Sequence, residues 1–266
     1  MQKYISYRLS DLLFILLPIT IAMVMIGIII SIIVWSNYSI LISSLTSNEI
    51  IFAIGLSLLT ALTSTSIALI IGIPTAYTLS RYSFRGKQVI EVMLMLPFAM
   101  PPIALGATLL LFFTNTFIGR IANSILRIVF EVPGIIIAQF TVILPMIIKI
   151  LKSSFDMIDK KYEAVARTLG YGKFMTLIKV LLPMCRRGLV ASFILGFSRA
   201  LGEFGASVTL AGATRFKTET LPIAIYLSLS SGDVELTVAL VMILISIAFI
   251  TLTILHFIER DRITVI

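Results

Sequence analysis

The sequence predicts an all-α polytopic membrane protein with six transmembrane helices and one cytoplasmic insert, forming a single transmembrane domain over residues 1–266. Three observations carry this. Of the residues, 59% are hydrophobic and 13% charged, against about 45–50% and about 25% in soluble domains, so there is more apolar surface than a water-facing fold of this size can hide. Six segments are apolar for long enough to cross the hydrocarbon core, which takes about 20 helical residues. Their apolar character is continuous, not alternating, which excludes the strands of an outer-membrane barrel. One cysteine, Cys185, cannot form an intramolecular disulfide, and one histidine, His256, leaves no histidine-rich metal site. No metal and no cofactor is expected.

The first span covers about 12–35. Lys3 and Arg8 precede it as they would precede a signal peptide, but the run is too long for a signal core and no A-x-A-like site follows. It reads as a retained anchor. The second span, 50–79, is longer than a straight crossing needs, which predicts tilt or extension beyond the bilayer. It sets Ser57, Thr60 and Ser64 at helical spacing, a candidate polar lining, although such hydroxyls also satisfy helix backbone. The third, 89–113, holds Pro97, Pro101 and Pro102. Each proline removes a backbone donor, so the helix should kink or break there. Broken backbone at membrane depth is tolerated where it is buried in protein or lines a cavity. Pro97, Phe98 and Met100 are therefore gate candidates, with a passive kink as the alternative.

The fourth span covers 132–151, and a polar insert follows over 152–187. Ala164, Val165, Ala166 and Leu169 favour a short helix, and Gly170 suits a left-handed cap. A second amphipathic helix runs from about Lys173 to Leu182, with Pro183 closing it. Helix–Gly–helix on a basic surface fits either a membrane-surface element or a docking site for a partner protein. The fifth span, 189–211, carries Arg199 and Glu203 four residues apart, placed to pair along one helix. Intramembrane ionisable groups usually face the bundle interior or a water-filled path, so Glu203, with Ser207 one turn on, is a pathway candidate. An internal ion pair that fixes the span is the alternative. Gly188, Ser192, Gly196 and Ala200 recur every four residues, a spacing that lets helices approach closely, within one chain or across a dimer. The sixth span covers 236–258, and Asn37-Tyr38-Ser39 fits a glycosylation sequon between the first two.

Six spans put both termini on one side. Of the 21 basic residues, only Arg120, Arg127, Arg215 and Lys217 fall on the other side, and nine lie between Lys149 and Arg187. By the positive-inside rule the termini and the insert are cytoplasmic. Glu49, Glu131, Glu219, Asp233 and Glu235 leave the outer face near neutrality. It offers no basic funnel, so an anion that crosses here must be delivered. The net charge of +8 thus reads as topology and a docking surface, with no nucleic acid implied.

Two motifs add a resemblance. The insert reads E-A-V-A-R-T-L-G from Glu163 to Gly170, then nine residues to Val180, then Leu182 and Pro183. It resembles the signature loop of ABC-importer permeases, E-A-A-x3-G-x9-I-x-L-P, except that the consensus Glu position holds Ala164 and Glu163 stands one place earlier, as in the oxyanion-importing branch. Phe197 to Pro222 contains R-A-L-G-E-F-G-A and T-E-T-L-P, which is similar to molybdate and tungstate permeases; sulfate permeases tend to carry G-E-Y-G-S. With M-L-P-F-A-M-P-P over Met95 to Pro102, the resemblance extends from about residue 50 onward. It implies a type I importer permease whose insert is a coupling helix, with Glu163, Ala166, Arg167, Gly170, Leu182 and Pro183 facing the coupling task. It also implies partners: two copies of a cytoplasmic ATP-binding subunit, an extracytoplasmic oxyanion-binding protein, a second copy of this chain, and the lipid membrane. The substrate implied is molybdate or tungstate, with a sulfate/thiosulfate permease as the alternative. For a dianion path, the Glu203 carboxylate is awkward because it would repel the cargo.

Other classes fit poorly. No G-x-x-x-x-G-K-[ST] occurs: Gly86-Lys87 is followed by Gln88 and Gly172-Lys173 by Phe174. ATP hydrolysis is expected on a separate subunit and the chain is not read as an enzyme. An intramembrane protease would need a base beyond His256, and Ser198 lacks a G-x-S-x-G setting. An ATP-independent secondary transporter would usually bind substrate between repeated halves; no internal repeat is evident, and the insert would have no purpose.

Overall fold

The computed structural model describes residues 9–35 and 38–260. Lys3, Arg8, Asn37, Asp261 and Arg262 lie outside these, as do the side chains of His256, Glu259 and Arg260. All regular structure among the described residues is helical: α1 (Leu9–Trp35), α2 (Tyr38–Thr46), α3 (Asn48–Arg81), α4 (Lys87–Ala99), α5 (Pro102–Asn115), α6 (Phe117–Leu126) and α7 (Val132–Asp156). The insert follows as α8 (Lys161–Thr168), α9 (Lys173–Thr176), a π-helical turn (Leu177–Leu181) and α10 (Leu182–Met184). Then come α11 (Arg186–Leu201), α12 (Gly205–Ala211), α13 (Leu221–Ser230) and α14 (Val234–Arg260). Helices α1, α3, α7 and α14 hold unbroken stretches long and apolar enough to cross a membrane, and two bent pairs, α4 with α5 and the Lys173–Met184 stretch with α11, raise the count to six if each is one span.

The break expected at the prolines of the third segment is present, as a 112° bend between α4 and α5. Met100 is extended (φ −81°, ψ 142°) and Pro102 opens α5, where a missing N–H is one of the helix orphans anyway. The fifth segment is likewise two helices, with Gly202–Phe204 between them. Pro183 does not close the second insert helix. Helical backbone runs on to Met184, and the chain turns by 79° at Cys185 before α11. Helix α7 extends to Asp156, so the insert starts five residues later than its polarity indicated. The short α2, α6 and α13 occupy stretches too short to register as spans.

The core forms where α3 lies along α7. Ala61, Ala68, Gly72 and Ala76 meet Ile143, Ile147, Leu151 and Phe155; small residues on one helix let the backbones approach. Helix α11 packs onto the same pair, and the small-residue stripe is the contact surface. Ser192 and Ala200 are fully buried, and a Cβ on Gly196 would lie 2.9 Å from Ile147 Cδ1 and 3.3 Å from Thr65 Cγ2. At Gly188 a Cβ would overlap Ser154, 2.7 Å from its Cβ and closer still to its hydroxyl. A buried polar knot ties the three helices. Gln139 Nε2 donates to Ala200 O (3.0 Å) and Thr60 Oγ1 (3.3 Å), while Ser64 Oγ donates to Gln139 Oε1 (3.2 Å). The outward surfaces are apolar, as at Leu59, Ile70 and Phe249, the pattern of a lipid-facing bundle.

Close approach at Gly188 gives a stability prediction. Gly188→Ala should lower stability in a detergent–SDS unfolding titration by about 1–3 kcal/mol through overpacking. Gly55→Ala, where nothing lies within 4 Å of the new methyl, should be neutral or stabilising by roughly 0.5–1 kcal/mol, because alanine loses less backbone entropy in a helix. Equal effects at both positions would contradict the packing described.

Candidate functional site

Glu163 is 5% exposed, an expensive place for a carboxylate unless it is paired. Its Oε1 accepts from Arg81 Nε at 2.5 Å, and its Oε2 accepts from Tyr77 Oη at 3.2 Å. Arg167, one turn further along α8, stands 3.9 Å from Oε2. Arg81 also donates to Ile158 O at 2.9 Å. Tyr77 and Arg81 occupy the last two turns of α3, so α8 is clamped to the end of the longest helix in the chain. Ala166 is buried beside Glu163. Gly170 adopts φ +87°, a left-handed geometry that favours glycine, and Tyr171 N–H returns to Ala166 O at 3.0 Å to finish the cap. Leu182 is half-buried and Pro183 exposed.

The opposite face of the insert is bare and apolar: Tyr162, Val165, Leu169 and Phe174 are all more than half exposed. Between α8 and the end of α3 lies a cavity of about 310 Å³ lined by Arg81, Lys160, Arg167 and Lys173 around Glu163. Sequence reasoning found the buried side of α8 and missed both Arg81 and the exposed apolar face. Arg81 stands four residues after Tyr77 where an apolar run turns polar, which is the signal that marks it.

The second cluster lies at the two breaks. Glu203 is not on the helix of Arg199, since α11 ends at Leu201. From the break it reaches both ways: Oε1 accepts the Ala206 N–H at 2.9 Å, and Oε2 meets Arg199 Nη1 at 2.7 Å. The carboxylate thereby satisfies a backbone donor at the start of α12, which explains why the span stops and restarts here. A cavity of about 150 Å³ adjoins the pair, lined by Pro97, Phe98, Met100, Pro102, Val142, Met146 and Arg199. The structure thus gathers Pro97, Phe98 and Met100 around Arg199. It does not bring Ser57, Thr60 or Ser207 to that cavity. Ser57 accepts the Leu221 N–H at 2.7 Å, and Thr60 joins the Gln139 knot. Ser207 is fully buried with its hydroxyl unpaired among the described residues.

At the end of the bundle away from the insert, the loop after α12 is pinned by ion pairs. Arg215 Nε lies 3.3 Å from Glu49 and Lys217 Nζ 2.6 Å from Glu131. Thr218 Oγ1 accepts from Thr214 N–H and donates to Gly212 O. Glu219 is 2% exposed; burial, and then the neighbouring Glu49 carboxylate, push its carboxyl above the usual carboxylate range.

Residues 68–263 match the family model described as "Binding-protein-dependent transport system inner membrane component", a stretch that contains both the insert and the breaks. The chain is 37% identical over 213 residues to a "Probable molybdenum ABC transporter permease protein" of Haloferax volcanii, covering 79% of this chain and 77% of that protein. It is 29% identical over 220 residues to the sulfate transport system permease protein of Escherichia coli, covering 82% and 78%. Among solved structures it is similar to a chain of a bacterial alginate ABC transporter in complex with an alginate pentasaccharide-bound periplasmic protein, with TM-score 0.69 and 94% of each chain covered. At 15% identity that likeness is one of fold.

Two outcomes are expected. Glu163→Gln should leave Arg81 without its counter-charge inside the clamp, and hydrogen exchange of the α8 amides should accelerate about tenfold or more, as breaking one partner of a buried pair costs roughly 3–5 kcal/mol; unchanged exchange would contradict the clamp. The raised Glu219 carboxyl binds more protons folded than unfolded just above its ordinary value of 4.5. Stability should therefore fall as pH rises from there through the raised value. Glu219→Gln should flatten that slope in a pH series of thermal unfolding.

Proposed function

The chain belongs to the family of binding-protein-dependent transport system inner membrane components, and from that premise we propose that it is the transmembrane subunit of an ABC importer for molybdate or tungstate. It is a multi-pass membrane protein. In the proposed assembly two copies of the chain surround one path, two cytoplasmic ATP-binding subunits dock on the two inserts, and an extracytoplasmic protein delivers the oxyanion. Both termini and the insert face the cytoplasm, in line with the nine basic residues between Lys149 and Arg187. Delivery from outside agrees with an outer face where acidic residues balance basic ones.

One observation carries the reading. The conspicuous exposed apolar patch of the insert lies on α8 and α9, and the same α8 is fastened by Glu163 to Tyr77 and Arg81 of α3. A partner that closes on that patch pulls on a helix that spans the bilayer. In this reading ATP is hydrolysed on the separate subunit, and the contribution of this chain is mechanical. Leu182 and Pro183 lie where the insert passes into α11, the second route into the membrane. Pro97, Phe98 and Met100 at the α4–α5 break are the proposed gate. The molybdate or tungstate assignment draws on the 37% identical relative and on the F-G-A run at Phe204 to Ala206. A sulfate permease is the alternative, supported by the 29% identical relative.

Gly170→Val places a β-branched residue at φ +87°, a strained conformation for any such side chain. In proteoliposomes with the ATP-binding subunit and loaded binding protein, anion uptake per ATP hydrolysed should fall about tenfold, the factor that ~1.4 kcal/mol represents, while the chain remains inserted. Normal uptake in that variant would remove the coupling assignment. Stimulation of ATP hydrolysis by sulfate-loaded binding protein, with none by molybdate or tungstate, would transfer the chain to the sulfate class.

A further inference from the structure

The two charges at the fifth-span break are separated by depth. Glu203 is 1% exposed, and both oxygens are used, one by the Ala206 N–H and one by Arg199. The Arg199 side chain is 41% exposed. Glu203 holds its Nη1; no acceptor among the described residues engages Nε or Nη2. Arg199 lines the 150 Å³ cavity at the α4–α5 break, whereas Glu203 is not part of the lining. The remaining walls are apolar, so the guanidinium is the only charge in the lining among the described residues. One water needs roughly 10–15 Å³ of such space, so the cavity has room for a small polyatomic ion.

We propose that Arg199 is the anion-contacting residue of the translocation path, taking a tetrahedral oxyanion dianion on its free Nε–Nη2 edge. This rests on the oxyanion-import reading. A guanidinium keeps its charge at every physiological pH and offers a planar fork of N–H donors that matches paired oxygens. Apolar walls lower the local dielectric and strengthen that contact. Helix α5, 14 residues long, starts at Pro102 beside the same cavity, and its positive end adds to the attraction. Glu203, placed behind the guanidinium, does two things. It fixes the side chain at the cavity wall, and it offsets part of the charge so that the anion is held weakly enough to leave, as conduction requires. The carboxylate that seemed to obstruct a dianion path is turned away from it.

The test places a thiol in the cavity and reads the field. Met100→Cys in a Cys185→Ser chain, assembled with cysteine-free partner subunits, is labelled with an anionic and a cationic methanethiosulfonate of similar size. Each rate is normalised to a free thiol. The ratio cancels any change in thiolate fraction. With Arg199 present the ratio should favour the anionic reagent by up to about 25-fold, because one unit charge near 4 Å changes each rate by about fivefold in opposite directions even at the dielectric of water, and Glu203 offsets part of this. Molybdate should slow labelling. Arg199→Gln should abolish both effects and Arg199→Lys should retain the preference. Glu203→Gln, which leaves the cation in place, should increase the preference, so the test survives if Arg199→Gln fails to fold. A ratio unaffected by Arg199→Gln, or lowered by Glu203→Gln, overturns the proposal. If wild-type vesicles import no molybdate while the Met100→Cys chain shows the preference, the substrate assignment is removed and the anion site stands. Vesicles that import molybdate with a ratio indifferent to Arg199 would do the reverse.

Discussion

A buried carboxylate at the end of the bundle governs the rest of this structure. Glu163 has given up water, and its desolvation is offset by Arg81 and Tyr77 together. Because both partners lie in the last two turns of α3, the insert has no independent position. Helix α3 is 34 residues long, about 51 Å at 1.5 Å per residue, so it exceeds the ~30 Å hydrocarbon core. Its far end reaches Glu49, which pairs with Arg215 in the loop after α12. The Glu163 clamp and the Glu49–Arg215 pair thus stand at opposite ends of one helix.

What α3 does, its neighbours must follow. Helix α7 lies against it through alanines and Gly72, and α11 lies against both through Gly188, Ser192, Gly196 and Ala200. Close-packed contacts of this kind transmit displacement because they cannot deform gradually. Helix α11 leads from the insert to Arg199, and beyond the break α12 packs on α5: a Cβ on Gly205 would lie 2.9 Å from Pro102, and one on Gly106 would lie 2.8 Å from Ala206. The two breaks are thus in contact. The insert reaches the Arg199 cavity by two routes, one along α3 and one through the Cys185 bend into α11.

Much of this was legible in the sequence, and the remainder has identifiable physical reasons. Long apolar runs locate α1, α3, α7 and α14, because a bilayer demands length and hydrophobicity that no other pattern imitates. Gly170 as a left-handed cap follows from local chemistry alone. The break at Gly202–Phe204 does not, since Arg199 and Glu203 at a spacing of four read as one helix. Glu203 instead satisfies the Ala206 backbone, a choice settled by how α12 seats on α5. Ser57 and Thr60 read as a polar lining because their partners, Leu221 and Gln139, are remote in the chain. Pro183 reads as a helix end because the adjoining π-helical turn, which lets the helix run on through it, has no signature in the residues themselves.

The central claim is that docking at the insert is transmitted through the Glu163–Arg81 pair. A double-mutant cycle on anion uptake per ATP hydrolysed, in proteoliposomes of the complete complex, tests it most directly. Residues that act as one unit are non-additive. Glu163→Ala and Arg81→Ala should each lower the ratio by about tenfold, and the double variant should fall within about twofold of the worse single, as expected for one shared interaction. Single variants that keep the full ratio, or losses that multiply in the double variant, would contradict the account.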